Sequence, residues 1–199
     1  MRKMVKFSNS ISVLVLVFIF SIGAGAQENR LRNPDFEEGS TGGWYSWAVT
    51  SEISNKENYT SGGSYSANPL LNVQNGLFEA GALIQELEDF KVGDTIYASA
   101  WIKTKNLKGA DHSNVYALIK IEFWDENNII KSKESKKVSG NNDWQRVSVK
   151  ASVPANTTMV KYLAFLYNDG GVGNLGQAYF DDAYLGTAPL AYWNQAEIF

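Results

Sequence analysis

Seven side chains of this sequence carry recognisable chemistry: the flat rings of Tyr97, Trp101, Tyr116 and Trp124, and the charged groups of Lys120, Glu122 and Arg146 interleaved with them. Sugar rings present C–H faces that rest on aromatic surfaces, and their hydroxyls need donors and acceptors at the rim. Rings interleaved with charges are therefore the make-up of a saccharide-binding surface. Covalent catalysis finds less support. The single histidine, His112, sits in the polar loop Gly109–Asn114 beside Asp111 and Ser113, whereas triad members converge from distant positions. Cysteine is absent, which removes disulfides, thiolate metal sites and a thiol nucleophile. No phosphate loop or dinucleotide fingerprint occurs. A glycosidase needs only two carboxylates about 5–10 Å apart, and nothing singles out a pair among the 21 acids.

The elements that must position these residues read as strands. Period-two alternation recurs between Gly, Asn, Asp and Pro punctuation, with no sustained helical period. Strands are predicted over Leu31–Glu38, Trp44–Ser54, Tyr65–Ala67, Leu83–Phe90, Thr95–Thr104, Val115–Trp124, Ile129–Val138, Trp144–Val153, Met159–Asn168 and Ala178–Gly186. Their even spacing predicts an all-β jelly-roll sandwich. Three strands assign their own faces, because successive side chains point to opposite sides. Ile96, Ala98, Ala100 and Ile102 turn inward, leaving Tyr97 and Trp101 outside. Val115, Ala117, Ile119, Ile121 and Phe123 turn inward, leaving Tyr116, Lys120, Glu122 and Trp124 outside. Val147, Val149, Ala151 and Val153 do the same opposite Arg146. The expectation is one shared outer face. Trp44 and Trp144 read as packing residues, while Trp47 and Tyr167 are open.

At the amino terminus a basic stretch, Met1 to Lys6, precedes the apolar run Ile11–Ile22 and the exit Ala24-Gly25-Ala26. This is the three-part pattern of a secretory signal peptide over residues 1–26, with cleavage before Gln27, and the run is shorter than the ~20 residues of a membrane span. A secreted protein, extracellular or periplasmic, is expected. Without Arg2, Lys3 and Lys6 the chain keeps 15 basic against 21 acidic residues, a net charge of −6. That balance argues against nucleic acid and anionic membranes as partners.

Three blocks in order then resemble the carbohydrate-binding modules of families 4, 9, 16 and 22, which share a galactose-binding-like jelly roll. They are Asn33-Pro34-Asp35-Phe36-Glu37 with Gly43-Trp44, then Ile84-Gln85 through Gly93 to Trp101-Ile102-Lys103, and finally Trp144 through Pro154 to Phe180-Asp181-Asp182. The resemblance spans Leu31–Leu185, with Ile96 where the family has tyrosine, and residues 187–199 lie beyond it as a tail. It implies a carbohydrate-binding sandwich over residues 27–186, a poly- or oligosaccharide ligand and no catalysis. It also implies a structural calcium ion held by Glu37 and Asp181, with Asp35 two residues before Glu37 and so facing the same way. A partner of the glycan-degrading enzyme class fits such a module. The alternatives are an adhesion module of the same fold, or a small jelly-roll lyase or hydrolase.

Overall fold

The computed structural model describes residues 28–55, 63–71, 79–108, 114–168 and 176–190. The proposed signal peptide, the His112 loop, and residues 191–199 of the tail lie outside them. Ten strands are present: β1 (Tyr45–Trp47), β2 (Val49–Ser54), β3 (Ser66–Leu71), β4 (Glu79–Leu87), β5 (Thr95–Leu107), β6 (Val115–Trp124), β7 (Ile129–Glu134), β8 (Gly140–Ser152), β9 (Met159–Asn168) and β10 (Gln177–Gly186). They form two antiparallel sheets, β1-β4-β9-β6-β7 and β2-β3-β10-β5-β8. No helix occurs among the described residues, so none is long and apolar enough to cross a membrane.

The inward sets read from the sequence meet between the sheets. Ile96, Ala98, Ala100 and Ile102 pack with Ala117, Ile119, Ile121 and Phe123 and with Val147 and Val149 in one buried cluster. Burial of such side chains is the main source of the stability of a sandwich this size. A buried polar contact crosses the layer. At the register shift between Asp181 and Tyr184 the β10–β5 ladder is broken, and the carbonyl of Ser99 accepts the Tyr162 hydroxyl from the opposite sheet at 3.0 Å.

Two predicted strands differ. Leu31–Glu38 is a chain of turns, because Pro34 offers no N–H and Asn33 and Phe36 take left-handed backbone angles, φ 42 and 57. Its apolar residues are still buried: Phe36 lies under Trp44, ring centroids 5.3 Å apart, and the Trp44 indole donates to the Asn33 carbonyl at 3.1 Å. The stretch Trp44–Ser54 divides at Ala48, φ 53, where the chain leaves the first sheet and enters the second. Gly81 passes beneath this corner. A Cβ there would lie 2.6 Å from Val49 Cγ1 and 2.9 Å from the carbonyl oxygens of Trp47 and Ala48, so no larger residue fits without moving backbone.

Candidate functional site

The predicted single face is two faces. β6 belongs to the first sheet, whereas β5 and β8 belong to the second. Tyr116, Lys120, Glu122 and Trp124 therefore stand on one side of the sandwich, and Tyr97, Trp101 and Arg146 on the other. Alternation reports whether a side chain points in or out, but the outer sides of two sheets are identical by that test. On the second sheet Arg146 pairs in register with Trp101 and donates to Ser99 Oγ. Its charge also acts on Asp182, whose carboxyl is pushed up by burial, pulled back by Arg146 and raised again by Asp35. Arg146 is thus engaged with its own sheet.

The outer face of the first sheet can be written row by row from the strand register. Tyr45, Ile84, Leu163 and Lys120 form one row across β1, β4, β9 and β6; Glu86, Lys161 and Glu122 form the next. Trp47, Ala82, Phe165 and Leu118 form the row on the other side. Ala82, Ile84, Leu118, Leu163 and Phe165 are buried although they lie outside the main core, giving the face an apolar floor. Above it, Tyr45 and Trp47 remain 42% and 48% exposed, unusual for rings of that size. They line a groove of about 300 Å³ together with Glu122, Trp124, Ile129 and Lys161.

A chain of charged contacts holds the groove wall. The Tyr45 hydroxyl donates to Glu86 Oε1 at 2.7 Å, and Lys161 Nζ lies 2.6 Å from the same oxygen. Lys161 also sits 4.3 Å above the Trp124 ring, and the Trp124 indole donates to Glu122 Oε2 at 3.0 Å. Lys120 closes the series, 2.9 Å from Glu122 Oε1. The Lys161 hydrogen bond, with a smaller contribution from Tyr45, holds the Glu86 carboxyl below the usual range against the effect of burial. Loss of hydration, with Glu86 beside it, raises the pKa of Tyr45. Beyond Glu86 a more polar groove of about 500 Å³ continues past Gln85, Arg32 and Arg30. There the Gln85 amide clamps the Arg32 backbone, accepting from its N–H at 2.9 Å and donating to its carbonyl at 2.7 Å.

Of the residues expected on this face, Glu122 and Trp124 line the groove and Lys120 supports Glu122. Tyr116 does not: it lies eight residues along β6 from Trp124, about 27 Å at 3.4 Å per residue, stacked on Tyr167 at 4.9 Å and capped by Lys137. Tyr45, Glu86 and Lys161 were not expected, and Trp47 was open. β1 has only three residues, too short to show alternation, whereas Lys161 stood in a correctly bounded strand.

The proposed calcium ligands are separated in their engagements. Glu37 accepts the N–H groups of Ser64, at 2.8 Å to each oxygen, and of Tyr65 at 2.9 Å. Asp35 accepts the Glu37 N–H at 3.4 Å, and the fully buried Asp181 accepts that of Asp182 at 2.7 Å. The opening turn and the closing strand do touch, through a 2.8 Å bond from the Ala183 N–H to the Pro34 carbonyl. Oxygen donors suit a hard cation in kind, but among the described residues no three His, Cys, Asp or Glu side chains gather to hold one.

No protein-family model and no curated protein matches the sequence. Solved structures do share its fold. TmCBM61, solved with β-1,4-galactotriose, superposes with a TM-score of 0.53 at 21% identity over 81% of this chain and 99% of that one. The CBM22-1–GH10 modules of Clostridium thermocellum endo-1,4-β-D-xylanase 10B, complexed with xylohexaose, give 0.54 at 16% identity over 80% of this chain and 29% of that one. The enzymatically active domain of bacteriophage CBA120 tailspike protein 4 gives 0.60 at 16% identity, covering 80% of this chain but only 21% of its own. The fold is thus the jelly-roll sandwich of carbohydrate-binding modules, and the resemblance read from the sequence holds at that level.

Proposed function

We propose that this protein is a carbohydrate-binding module without catalytic activity of its own, taking a poly- or oligosaccharide along the outer face of the first sheet. The observation that carries the reading is the pair of half-exposed rings, Tyr45 and Trp47, beside Trp124 over an apolar floor. Such rings accept the C–H faces of successive sugars, and the Glu86, Lys161 and Glu122 groups along the wall meet their hydroxyls. The same wall is poorly made for hydrolysis. A glycosidase acid needs a carboxyl whose pKa is raised, and that of Glu86 is lowered by Lys161.

A module of this fold was solved with β-1,4-galactotriose and others are xylan-binding domains, so β-linked galactans and xylans are the first ligands to try. Export and cleavage before Gln27 belong to this reading, since polysaccharides of that size lie outside the cell. So does a partner enzyme that degrades the glycan. A calcium ion between the opening turn and the closing strand would be held by Asp181 and Glu37 with loop carbonyls. It would require Glu37 to share oxygens now bonded to Ser64 and Tyr65. A glycan array on the protein lacking residues 1–26, followed by calorimetric titration, tests the central claim. Saturable binding to a defined glycan is expected; no binding to any glycan of the array would overturn it.

A further inference from the structure

The outer face of the second sheet carries a groove of its own. The register places Glu52 of β2 opposite Asn68 of β3. Phe180 of β10 pairs with Ala67, so the neighbouring Tyr179 stands beside Asn68, and Tyr179 in turn pairs with Lys103 of β5. Ala67, Phe180 and Ile102 point into the core, which turns Glu52, Asn68, Tyr179 and Lys103 outward in one row. Glu52, Asn68, Lys105, Gln177 and Tyr179 line a groove of about 420 Å³, within the range of about 300–1,000 Å³ typical of small-molecule sites.

Asn68 is out of place by the rules that shape the rest of the sheet. Asparagine is a poor strand residue, and strand interiors favour β-branched and aromatic side chains. It is only 4% exposed, and its Oδ1 has no hydrogen-bond partner. Buried acceptors are nearly always satisfied, and leaving one unpaired is costly. The residue lines the groove, so a partner for Oδ1 has to come from that side and must donate a hydrogen.

The surrounding groups narrow that visitor. Glu52 is a second acceptor beside Asn68. On the other side, the Tyr179 hydroxyl donates to Gln177 Oε1 at 2.9 Å, which leaves the Gln177 NH₂ as its donating end. Lys105 Nζ rests 5.4 Å above the Tyr179 ring. Acceptors face donors across the groove, an arrangement that suits adjacent hydroxyls, each giving and accepting one bond. Tyr179 is buried beneath Lys105, so no ring is offered for stacking.

We infer that this groove is a second saccharide site, binding one sugar ring through neighbouring hydroxyls on the face opposite the aromatic groove. Recognition there is by hydrogen bonds alone, so a free monosaccharide and the end of a chain present the same chemistry.

The test follows the side-chain amide signal of Asn68 by ¹⁵N–¹H NMR during titration with D-galactose, D-xylose, β-1,4-galactotriose and glycerol. A saturable shift is expected with at least one sugar and none with glycerol. The same affinity is expected in Trp47→Ala, which disables the aromatic groove. Glu52→Gln should weaken it about tenfold, the loss of about 1.4 kcal/mol of hydrogen bonding, and Asn68→Leu should do the same when the titration is followed on the Gln177 side-chain amide of the same groove. Binding to galactotriose but to neither monosaccharide would mark a chain end as the ligand; equal binding would mark the ring alone. The inference is overturned if no sugar at about 100 mM, far above the millimolar scale of weak binding, moves the signal. It is equally overturned if a crystal soaked with sugar shows an ordered water only on Asn68 Oδ1, or if Glu52→Gln, melting like the parent, binds unchanged.

Discussion

Replacing Trp47 by alanine separates binding from folding. The ring keeps 48% of its surface in water, so of the roughly 150–250 Å² that a tryptophan can bury about 100 Å² is at stake. At about 25 cal/mol per Å² this is an upper bound of about 2.5 kcal/mol, and shielding in the denatured chain reduces it to about 1.5–2.3 kcal/mol. For a chain of this length each kcal/mol moves Tm by about 2–4 °C, giving a drop of about 3–9 °C. Trp44→Ala is the contrast. Trp44 is 7% exposed, touches Phe36 and Tyr162, and its loss should cost about 3–5 kcal/mol and remove the indole bond to the Asn33 carbonyl. On the binding side, truncating a central tryptophan typically costs at least about 2 kcal/mol, or about 30-fold in Kd. Trp101→Ala, on the other sheet, should leave affinity within about twofold. Calorimetric titration with the glycan found on the array, and thermal melts of the same preparations, measure both quantities. If Trp47→Ala binds like the parent while Trp101→Ala does not, the site is on the second sheet. If Trp47→Ala melts as low as Trp44→Ala, the ring belongs to the core.

Glu86→Gln should flatten the acid side of the stability profile. A carboxyl with a lowered folded pKa stabilises above its unfolded value, about 4.3, and that contribution disappears as pH falls through the folded value. Melting curves below about pH 4 should therefore converge for parent and variant, with a small gap at neutral pH because the pair is partly exposed; parallel curves throughout would mean the pair contributes nothing. Chelation should lower Tm if calcium is bound, the ion being worth about 2.7 kcal/mol at a hundredfold excess over Kd, and Asp181→Ala should abolish the response. Gly81→Ala should destabilise by about 1–3 kcal/mol, read as a lower urea midpoint, because its methyl meets the backbone at the Ala48 corner.

What the sequence disclosed was decided by the length of each pattern. Val115–Trp124 and Met159–Asn168 coincide with β6 and β9, since ten alternating residues bounded by turn formers admit one reading. The opening segment did not, because Leu31 and Phe36 are core residues carried by turns rather than by a strand. The pairing of strands into sheets is a long-range property that no local pattern encodes, and it separated Trp101 and Arg146 from Trp124. Asn68 gave no signal at all: it fell outside the predicted strand Tyr65–Ala67, and a lone asparagine reads as loop until its oxygen is found buried.

The Tyr162 hydroxyl that reaches Ser99 has a mechanical meaning. Across the plane between the two sheets most contacts are dispersion contacts, individually weak and without a fixed direction. The hydroxyl acts as a dowel through that plane. Tyr162 lies between Lys161 and Leu163, both of which line the aromatic groove. For the saccharide chain proposed above, a sideways pull in the groove would be passed through this bond into the backbone of the opposite sheet, dividing the load between the layers.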